Sequence, residues 1–505
     1  MQVESGITCG NCCERNTLCD GVKPICNTCI RDGQLCSGFE TPDHEPGSSP
    51  TLSSSPGTKK ATPDALLQAV SILISTPIWV SQAPGYPNYP NSELPSQDHL
   101  EVPPRSLIPK NVPPNPVAVR NALPFIYSQY SRLIKRMAFR EPPPSVMASL
   151  MERLSISATT FSLMTLGASI IQSMVDAADK TNWRAYEKPI DSLHWQTCHT
   201  PEEGSSLLCT KGRLTVAIEL TAYKIFISNT ALGYSFLRRA VPLATRVAYS
   251  YPQIWTKQGK ISTQKLLSLD VMELCSFLWM DTMTSTLLGT TPLLCYDTAS
   301  RGKLRLRHAI EWMNGCPQEF ISWFARLNIA RSTTRDGNNP LLTDWKMIEK
   351  EIREWEPLID KTGFSRDTVT RLAVIEGWRN ALLIYLYVGV CGMTSVDHRV
   401  QSAVKQILRL SQVAKLEVTY ERHIFGPAIF AGVCARLESQ RKSILRIVSF
   451  QRCSPIWVLQ ISDFAFILQH LWRGAARGGN PIIWDDYIRS RRAILPIYEQ
   501  ELCIP

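Results

Sequence analysis

The sequence predicts an all-α protein in three parts: a small cysteine-rich module (residues 1–40), a disordered linker rich in proline and serine (41–122) and a large all-helical domain (123–500). Three observations lead to this division. Seven of the 16 cysteines lie between Cys9 and Cys36, 16 of the 34 prolines lie in the linker, and apolar residues recur at helical spacing beyond Leu123.

Length and composition set the outer limits. With 505 residues, 44% of them hydrophobic, the chain can bury a sizeable core. The first eight residues contain no basic segment followed by an apolar one, so no secretory signal is expected. The longest apolar run, Ala381 to Met393, is shorter than the roughly 18 to 20 residues of a membrane span. We therefore expect a soluble intracellular protein with no membrane partner.

The cysteines of the module follow one spacing written twice, Cys-x2-Cys-x6-Cys, with six residues between the two copies. In a reducing compartment such short, regular spacing is typical of metal ligands rather than of disulfides. Zinc prefers four thiolates, so six cysteines can hold two zinc ions only if two of the six bridge both ions. The repeat indicates one bridging cysteine in each half. The predicted ligands are Cys9, Cys12, Cys19, Cys26, Cys29 and Cys36.

The other residues of the module fit a structural metal site. Asp20, Gly21 and Pro24 suit a turn that folds one half onto the other. Cys13 is adjacent to a ligand and cannot easily face the same metals, so we interpret it as a bystander. Because thiolates fill every coordination position, the two zinc ions are expected to stabilise the fold and not to activate water.

The second half of the module carries a family resemblance. From Cys19 it reads CDGVKPICNTCIRDGQLCSGF. This stretch resembles the fungal binuclear zinc cluster family (Zn(2)-C6 fungal-type), whose DNA-binding module has the same cysteine spacing and a loop proline where Pro24 stands. The resemblance implies the ligand sets: Cys9 and Cys26 bridge, Cys12 and Cys19 complete one zinc site, and Cys29 and Cys36 complete the other.

The same resemblance implies a function. A short helix after the second cysteine would enter the major groove of double-stranded DNA and read a GC-rich triplet of the CGG type. The residues that would face DNA are Arg15, Asn16 and Lys23. The resemblance thus implies a nuclear regulator of genes transcribed by RNA polymerase II.

The DNA-reading run departs from the family pattern. The family carries a run close to Arg-x-Arg-Lys-x-Lys between its second and third cysteines, whereas the run from Cys13 to Leu18 contains one cation, Arg15. Residues 1–40 hold three basic and five acidic side chains, a net charge of −2, and two zinc ions with six thiolates would add another −2. Because Lys and Arg drive most DNA affinity, we expect the module to bind DNA weakly by itself.

Two interpretations of the whole chain follow. The first is a DNA-binding transcription regulator with a degraded DNA-reading helix. The second is an interaction or co-regulator protein that keeps the zinc cluster as a structural element and does not bind DNA. The run from Cys13 to Leu18 is the feature that separates them.

Two segments of the body show helical periodicity most clearly. In the first, Asp344 to Glu356, Thr343 is the expected cap and Pro357 the expected stop; the apolar stripe comprises Trp345, Ile348, Ile352 and Trp355. In the second, Val396 to Val413, the stripe comprises Val400, Ala403, Val404, Ile407 and Leu408. A body of this length predicts about a dozen helices.

Two stretches of the body are similar to the fungal-specific transcription factor domain. From Ser276 the chain reads SFLWMDTMTSTLLGTTPLL, and from Gly377 it reads GWRNALLIYLYVGV. The similarity implies a regulatory domain that binds a small-molecule effector or a co-regulator. No sustained heptad follows the cysteine module, so any dimer is expected to form without a coiled coil.

Three further groups of residues are candidate sites. A metal site is not favoured at His194, Cys198, His199 and Cys209, because their spacing is irregular and their surroundings look like a loop. The run RGAARGGN, Arg473 to Asn480, is interpreted as a helix C-cap. The run RSRR, Arg489 to Arg492, is either a nuclear import signal or a solvated helix face. No nucleophile and base stand out together, so no enzyme is predicted.

Overall fold

The computed structural model describes Thr28 and residues 116–140, 152–154, 156–176, 180–199, 206–269, 271–299, 309–334, 341–357, 365–416, 418–449 and 459–497. These residues are largely helical, which confirms the all-α prediction for the body of the chain.

Eighteen α-helices follow one another through the described residues, more than the predicted dozen, because five of them are shorter than ten residues. The first nine are α1 Pro116–Met137, α2 Ala158–Asp176, α3 Glu187–His199, α4 Leu207–Ile227, α5 Thr230–Arg239, α6 Val241–Tyr249, α7 Thr263–Ser268, α8 Met272–Leu288 and α9 Ala309–Asn314. The other nine are α10 Gln318–Thr334, α11 Leu341–Glu354, α12 Ser365–Ile384, α13 His398–Ala414, α14 Val418–Glu421, α15 Phe425–Val433, α16 Glu438–Ser449, α17 Ile461–Arg473 and α18 Trp484–Ile494.

Shorter elements connect the helices. Three are 3-10 helices, Lys180–Tyr186, Pro252–Ile254 and Arg477–Gly479, and one is a π-helix, Tyr385–Val390, that continues α12. Two strands of two residues each, β1 Ile261–Ser262 and β2 Tyr296–Asp297, pair in parallel with Ile261 opposite Tyr296. This pair ties the loop after α8 to the segment before α7.

The main core surrounds α8. Fourteen of its 17 residues are buried, so α8 has no polar face, as expected of a helix enclosed on all sides. Helices α4, α5, α6, α10 and α18 pack around it. A second, smaller core lies between α1 and α2, where Ile126 and Tyr130 of α1 meet Met164 and Ile171 of α2. The core therefore extends from the first helix to the last.

Helix α2 is long and apolar enough to cross a membrane by length and composition alone. Ten of its 19 residues are buried in the protein, and α1, α4 and α3 pack against it. The packing accounts for its apolar composition.

The starts of α13 and α11 differ from their predicted positions by two and three residues. Helix α13 begins at His398, two residues after the predicted start, because the Asp397 side chain accepts a hydrogen bond of 2.9 Å from the Arg399 amide and caps the helix. Helix α11 begins at Leu341 instead of Asp344, so Thr343 lies inside the helix and is not its cap.

The start of the helical body was also misplaced. Helix α1 begins at Pro116, inside the range 41–122 that its proline content predicts as linker. Proline is tolerated at the first position of a helix, where its missing amide hydrogen has no partner to lose. The predicted stripe residues Val400, Ala403, Val404 and Ile407 of α13, and Ile348 and Ile352 of α11, are buried as expected.

Candidate functional site

The predicted zinc and DNA sites lie outside the described residues. This holds for the six ligands Cys9, Cys12, Cys19, Cys26, Cys29 and Cys36, and for the DNA-facing residues Arg15, Asn16 and Lys23. Both sets stay predictions, and the geometry that follows is that of the helical body.

The four residues considered as a second metal site lie on helices, not in a loop. His194, Cys198 and His199 belong to α3, and Cys209 lies in the first turn of α4. His194 is buried and stacks on Phe236 with ring centroids 3.8 Å apart, whereas His199 stacks on the neighbouring Trp195. The two imidazoles thus face different neighbours.

His194 and Cys198 are one helical turn apart, with 3.7 Å between the imidazole Nε2 and the thiol Sγ. Burial, followed by the positive charge of Arg239, lowers the pKa of His194 to about 3. Burial raises the pKa of the Cys198 thiol to about 12. At neutral pH both groups are uncharged, and their contact is part of the packing of α3 against α5.

A small cavity lies between α9, α10 and the end of α11. Its volume is about 20 Å³, room for about one water molecule, and its lining includes Glu311, Glu319 and Trp355. Glu311 pairs with Arg140 at 3.0 Å. Burial, reinforced by the charge of Glu311, raises the pKa of Glu319 to about 7. Glu319 lies in the first turn of α10, where the helix dipole favours the charged carboxylate, so burial outweighs the dipole. The cavity thus holds a carboxyl group that titrates near neutral pH.

We expect Glu319→Gln to change how stability depends on pH. Because the pKa of Glu319 is higher in the folded chain than the ordinary value of 4.5, its contribution to stability is fully present below pH 4.5 and is lost as pH rises through about 7. Glutamine carries no charge at any pH. The melting temperature of the variant should therefore rise relative to wild type between pH 5 and pH 8, measured by circular dichroism.

The matched control is Glu354→Gln on the exposed face of α11. Its melting temperature should follow that of wild type at every pH. Parallel pH profiles for wild type and the Glu319 variant would contradict the assignment.

A larger depression lies beside α2. It measures about 320 Å³, is open to solvent and is lined by Ser169, Gln172, Ser173, Asp176 and Tyr186. Arg132 of α1 forms an ion pair with Asp176 at its edge. Hydroxyl, amide and carboxylate groups dominate this lining, so its chemistry suits a small polar ligand.

Asp281 organises the centre of the body. Its carboxylate is fully buried on α8 and accepts hydrogen bonds from the Leu293 amide at 2.9 Å, the Leu294 amide at 3.3 Å and the Tyr296 hydroxyl at 2.9 Å. These donors come from the loop that leaves α8 at Gly289, a left-handed C-cap with φ of 68°. Burial raises the pKa of Asp281 to about 6 despite the four groups that donate to it, the fourth being Ser285.

A buried polar network joins α8, α10 and the π-helix. The Asn328 Oδ1 accepts from Thr286 at 3.0 Å and from the Tyr385 hydroxyl at 2.8 Å, and its Nδ2 donates to the Thr282 carbonyl at 2.9 Å. Arg331, one turn further on α10, donates to the Gly389 carbonyl at 2.6 Å. Side chains of α10 therefore satisfy polar groups at both ends of the π-helix.

Comparison with known families decides the identity of the body. A family model described as "Fungal specific transcription factor domain" matches residues 227–497, which is more than half of the chain. The chain belongs to this family. No curated protein and no solved structure matches the chain. The chain is accordingly a transcription regulator of the fungal type, as the two stretches in the body predicted.

The fungal-specific transcription factor domain begins at Ile227, the last residue of α4, and runs past α18. It contains Asp281, the Asn328 network and the acidic cavity, whereas the depression beside α2 precedes it. Helices α2 and α4 nevertheless contribute to the same core as the domain, so the fold is not divided at residue 227.

Two sequence motifs in the domain have defined positions. The interpretation of Arg473 to Asn480 as a C-cap is confirmed, since α17 ends at Arg473 and the amide of Gly474 donates to the His470 carbonyl at 2.9 Å. In the run RSRR, Arg491 is buried and Arg489 forms an ion pair with Asp486. The run is therefore not a continuous exposed strip.

Sequence reasoning missed the central residues of the domain. Asp281 is an isolated acid in an apolar helical run, a signal that could have marked it for attention. Asn328 and Arg331 gave no such signal, because their partners lie more than 40 residues away along the chain.

Proposed function

We propose that the chain is a zinc-dependent, DNA-binding regulator of nuclear genes transcribed by RNA polymerase II. In this proposal residues 1–40 hold two zinc ions, residues 41–122 contain the linker, and the body provides regulation. The observation that carries the proposal is the doubled Cys-x2-Cys-x6-Cys spacing in a chain whose body belongs to the fungal-specific transcription factor domain family.

The body would contribute the regulatory half of the function. The depression beside α2 supports an effector site for a small polar molecule, and exposed apolar side chains such as Phe466 and Leu437 support contact with a co-regulator or a second copy of the chain. The effector, co-regulator and dimer are all parts of the proposal.

A second candidate function is favoured by one observation. The run from Cys13 to Leu18 holds a single cation, so the module has few groups for DNA phosphates. On this alternative the chain is a co-regulator that keeps the zinc cluster as a structural element and reaches DNA only through other proteins.

Restoring positive charge to the run tests the proposal. The double change Asn16→Lys, Leu18→Lys should strengthen binding to a duplex that contains a CGG triplet and steepen the slope of log K against log salt by up to about 2, at about 0.9 for each neutralised phosphate. Arg15→Ala should relax triplet preference at a cost of about 1 to 3 kcal/mol if Arg15 contacts guanine. The measurement is a fluorescence-anisotropy salt titration on CGG-containing and scrambled duplexes.

The control places the same charge outside the run, as Gln2→Lys, Val3→Lys. This control should raise affinity for both duplexes equally and leave triplet preference unchanged. Absence of zinc-dependent binding by the wild type at low salt would reject DNA binding and favour the co-regulator. Tight, selective wild-type binding that the two lysines leave unchanged would instead reject the degraded reading helix.

A further inference from the structure

Five exposed side chains that carry or can carry a positive charge lie on α16, α17 and the 3-10 turn that follows α17. We name this surface the basic face. Its members are Lys442, Arg446, His470, Arg473 and Arg477.

Two arginines, Arg441 on α16 and Arg436 just before it, tie α16 to the segment that follows α17. Arg441, next to Lys442, is 4% exposed, donates to the Ala476 carbonyl and places its guanidinium 5.6 Å from the centre of the Trp472 ring. Arg436 donates to the Gly479 carbonyl at 2.9 Å. The first turn of α16 therefore lies beside the C-terminal end of α17.

This antiparallel arrangement brings the exposed cations together. Lys442 lies at the level of the end of α17, where Arg473 and Arg477 stand. Arg446 follows Lys442 by one turn, about 6 Å along the helix axis, toward the level of His470. The exposed cations of α16 and those at the end of α17 therefore lie on neighbouring elements of the body.

Acidic groups near the basic face are already engaged. Glu438 pairs with the buried Arg441 at 3.3 Å, and Asp463, at the other end of α17, accepts from the Thr230 amide at 2.8 Å. Among the described residues, no ion pair involves any member of the basic face. Four permanent positive charges therefore face solvent.

Helix stability accounts for only part of the basic face. Cations in the last turn of a helix interact favourably with its dipole, which explains Arg446 on α16 and Arg473 on α17. Lys442 lies in the first half of α16 and Arg477 lies beyond α17, so the helix dipole does not explain a positive charge at either position.

We propose that the basic face binds the phosphate backbone of duplex DNA beside the site read by the N-terminal module, an inference that rests on the proposed function. The whole chain carries +10, and residues 1–40 carry −2, so the remaining residues carry +12. Because counterion release by cations supplies most non-specific DNA affinity, the body and not the module has the charge for phosphate contacts.

The length of the intervening chain is compatible with this role. Residues 41–115 separate the module from α1. The composition of this stretch predicts a flexible linker, and a flexible linker of that length has an end-to-end distance of about 45 to 50 Å. That distance is compatible with the module and the basic face engaging one duplex together.

Neutralising the basic face tests the inference in the full-length protein. In Lys442→Gln, Arg473→Gln, Arg477→Gln, the slope of log K against log salt should fall by up to about 2.7, and affinity at about 0.15 M salt should fall by up to about 100-fold. All three side chains are exposed, so the melting temperature should match that of wild type. The probe is a fluorescent duplex with a CGG triplet.

The matched control neutralises three exposed lysines elsewhere, as Lys257→Gln, Lys260→Gln, Lys265→Gln. Its slope should equal that of wild type, which would support a local role for the basic face. A basic-face variant with the wild-type slope overturns the inference and leaves the proposed function intact. The inference is likewise overturned, in favour of an acidic protein partner, if the basic-face variant no longer binds an acidic peptide while its slope of log K against log salt for DNA equals that of wild type. Absence of zinc-dependent binding by wild type rejects the proposed function separately.

Discussion

Replacing Cys26 by serine is expected to release both zinc ions and to abolish triplet-selective DNA binding. Cys26 is assigned to both metals, so its loss leaves each ion with three thiolates at most. A segment of 40 residues cannot bury enough apolar surface to fold without its metals, so the module should unfold as a unit. Native mass spectrometry of the full-length protein should find two zinc ions in wild type and none in the variant.

Cys13 provides the matched control. Cys13→Ser removes a thiol from the same run, and because Cys13 is interpreted as a bystander, both zinc ions and DNA affinity should be kept. One zinc ion retained with full affinity in the Cys26 variant would refute the bridging assignment. Loss of zinc in the Cys13 variant would place Cys13 among the ligands.

The fold class and several helices could be predicted because their signals are local. The stripe from Val400 to Ile407 repeats every three or four residues, and the same residues line the buried side of α13. Asp397, which caps that helix, is also a local signal, although the prediction placed the start two residues earlier. Helix α8 could be assigned by family resemblance but not by periodicity, because a helix buried on every side has no polar stripe.

The polar organisation of the body could not be predicted because it depends on contacts distant in sequence. Arg441 looks like a surface residue in the sequence, yet its guanidinium binds the carbonyl of Ala476, 35 residues away. Tyr385 lies in an apolar run, and its hydroxyl binds Asn328, 57 residues earlier. Only the packing of α16 on α17, and of the π-helix on α10, brings such groups within hydrogen-bond distance.

Asp281→Ala is expected to lower the free energy of unfolding by about 3 kcal/mol at pH 7. The change leaves the amides of Leu293 and Leu294 and the hydroxyl of Tyr296 without their acceptor in a fully buried site, at about 1 to 3 kcal/mol for each. Removing the buried charge offsets about 3 kcal/mol of this loss in stability. That figure is the free energy that corresponds to the rise in the pKa of Asp281 from 3.8 to about 6. Urea unfolding followed by circular dichroism measures the difference.

Asp281→Asn separates the charge from the hydrogen bonds. Asparagine keeps the side-chain shape and one acceptor oxygen and buries no charge, so it should be less destabilising than alanine at pH 7. Because the folded-state pKa of Asp281 is raised, the contribution of the aspartate to stability is fully present below pH 3.8 and is lost as pH rises through about 6. Wild type should therefore gain stability over the asparagine variant as pH falls from 7 to 4. Equal pH dependence of the two proteins, or a loss below about 1 kcal/mol for alanine, would show that the loop after α8 is held by its apolar contacts and not by Asp281.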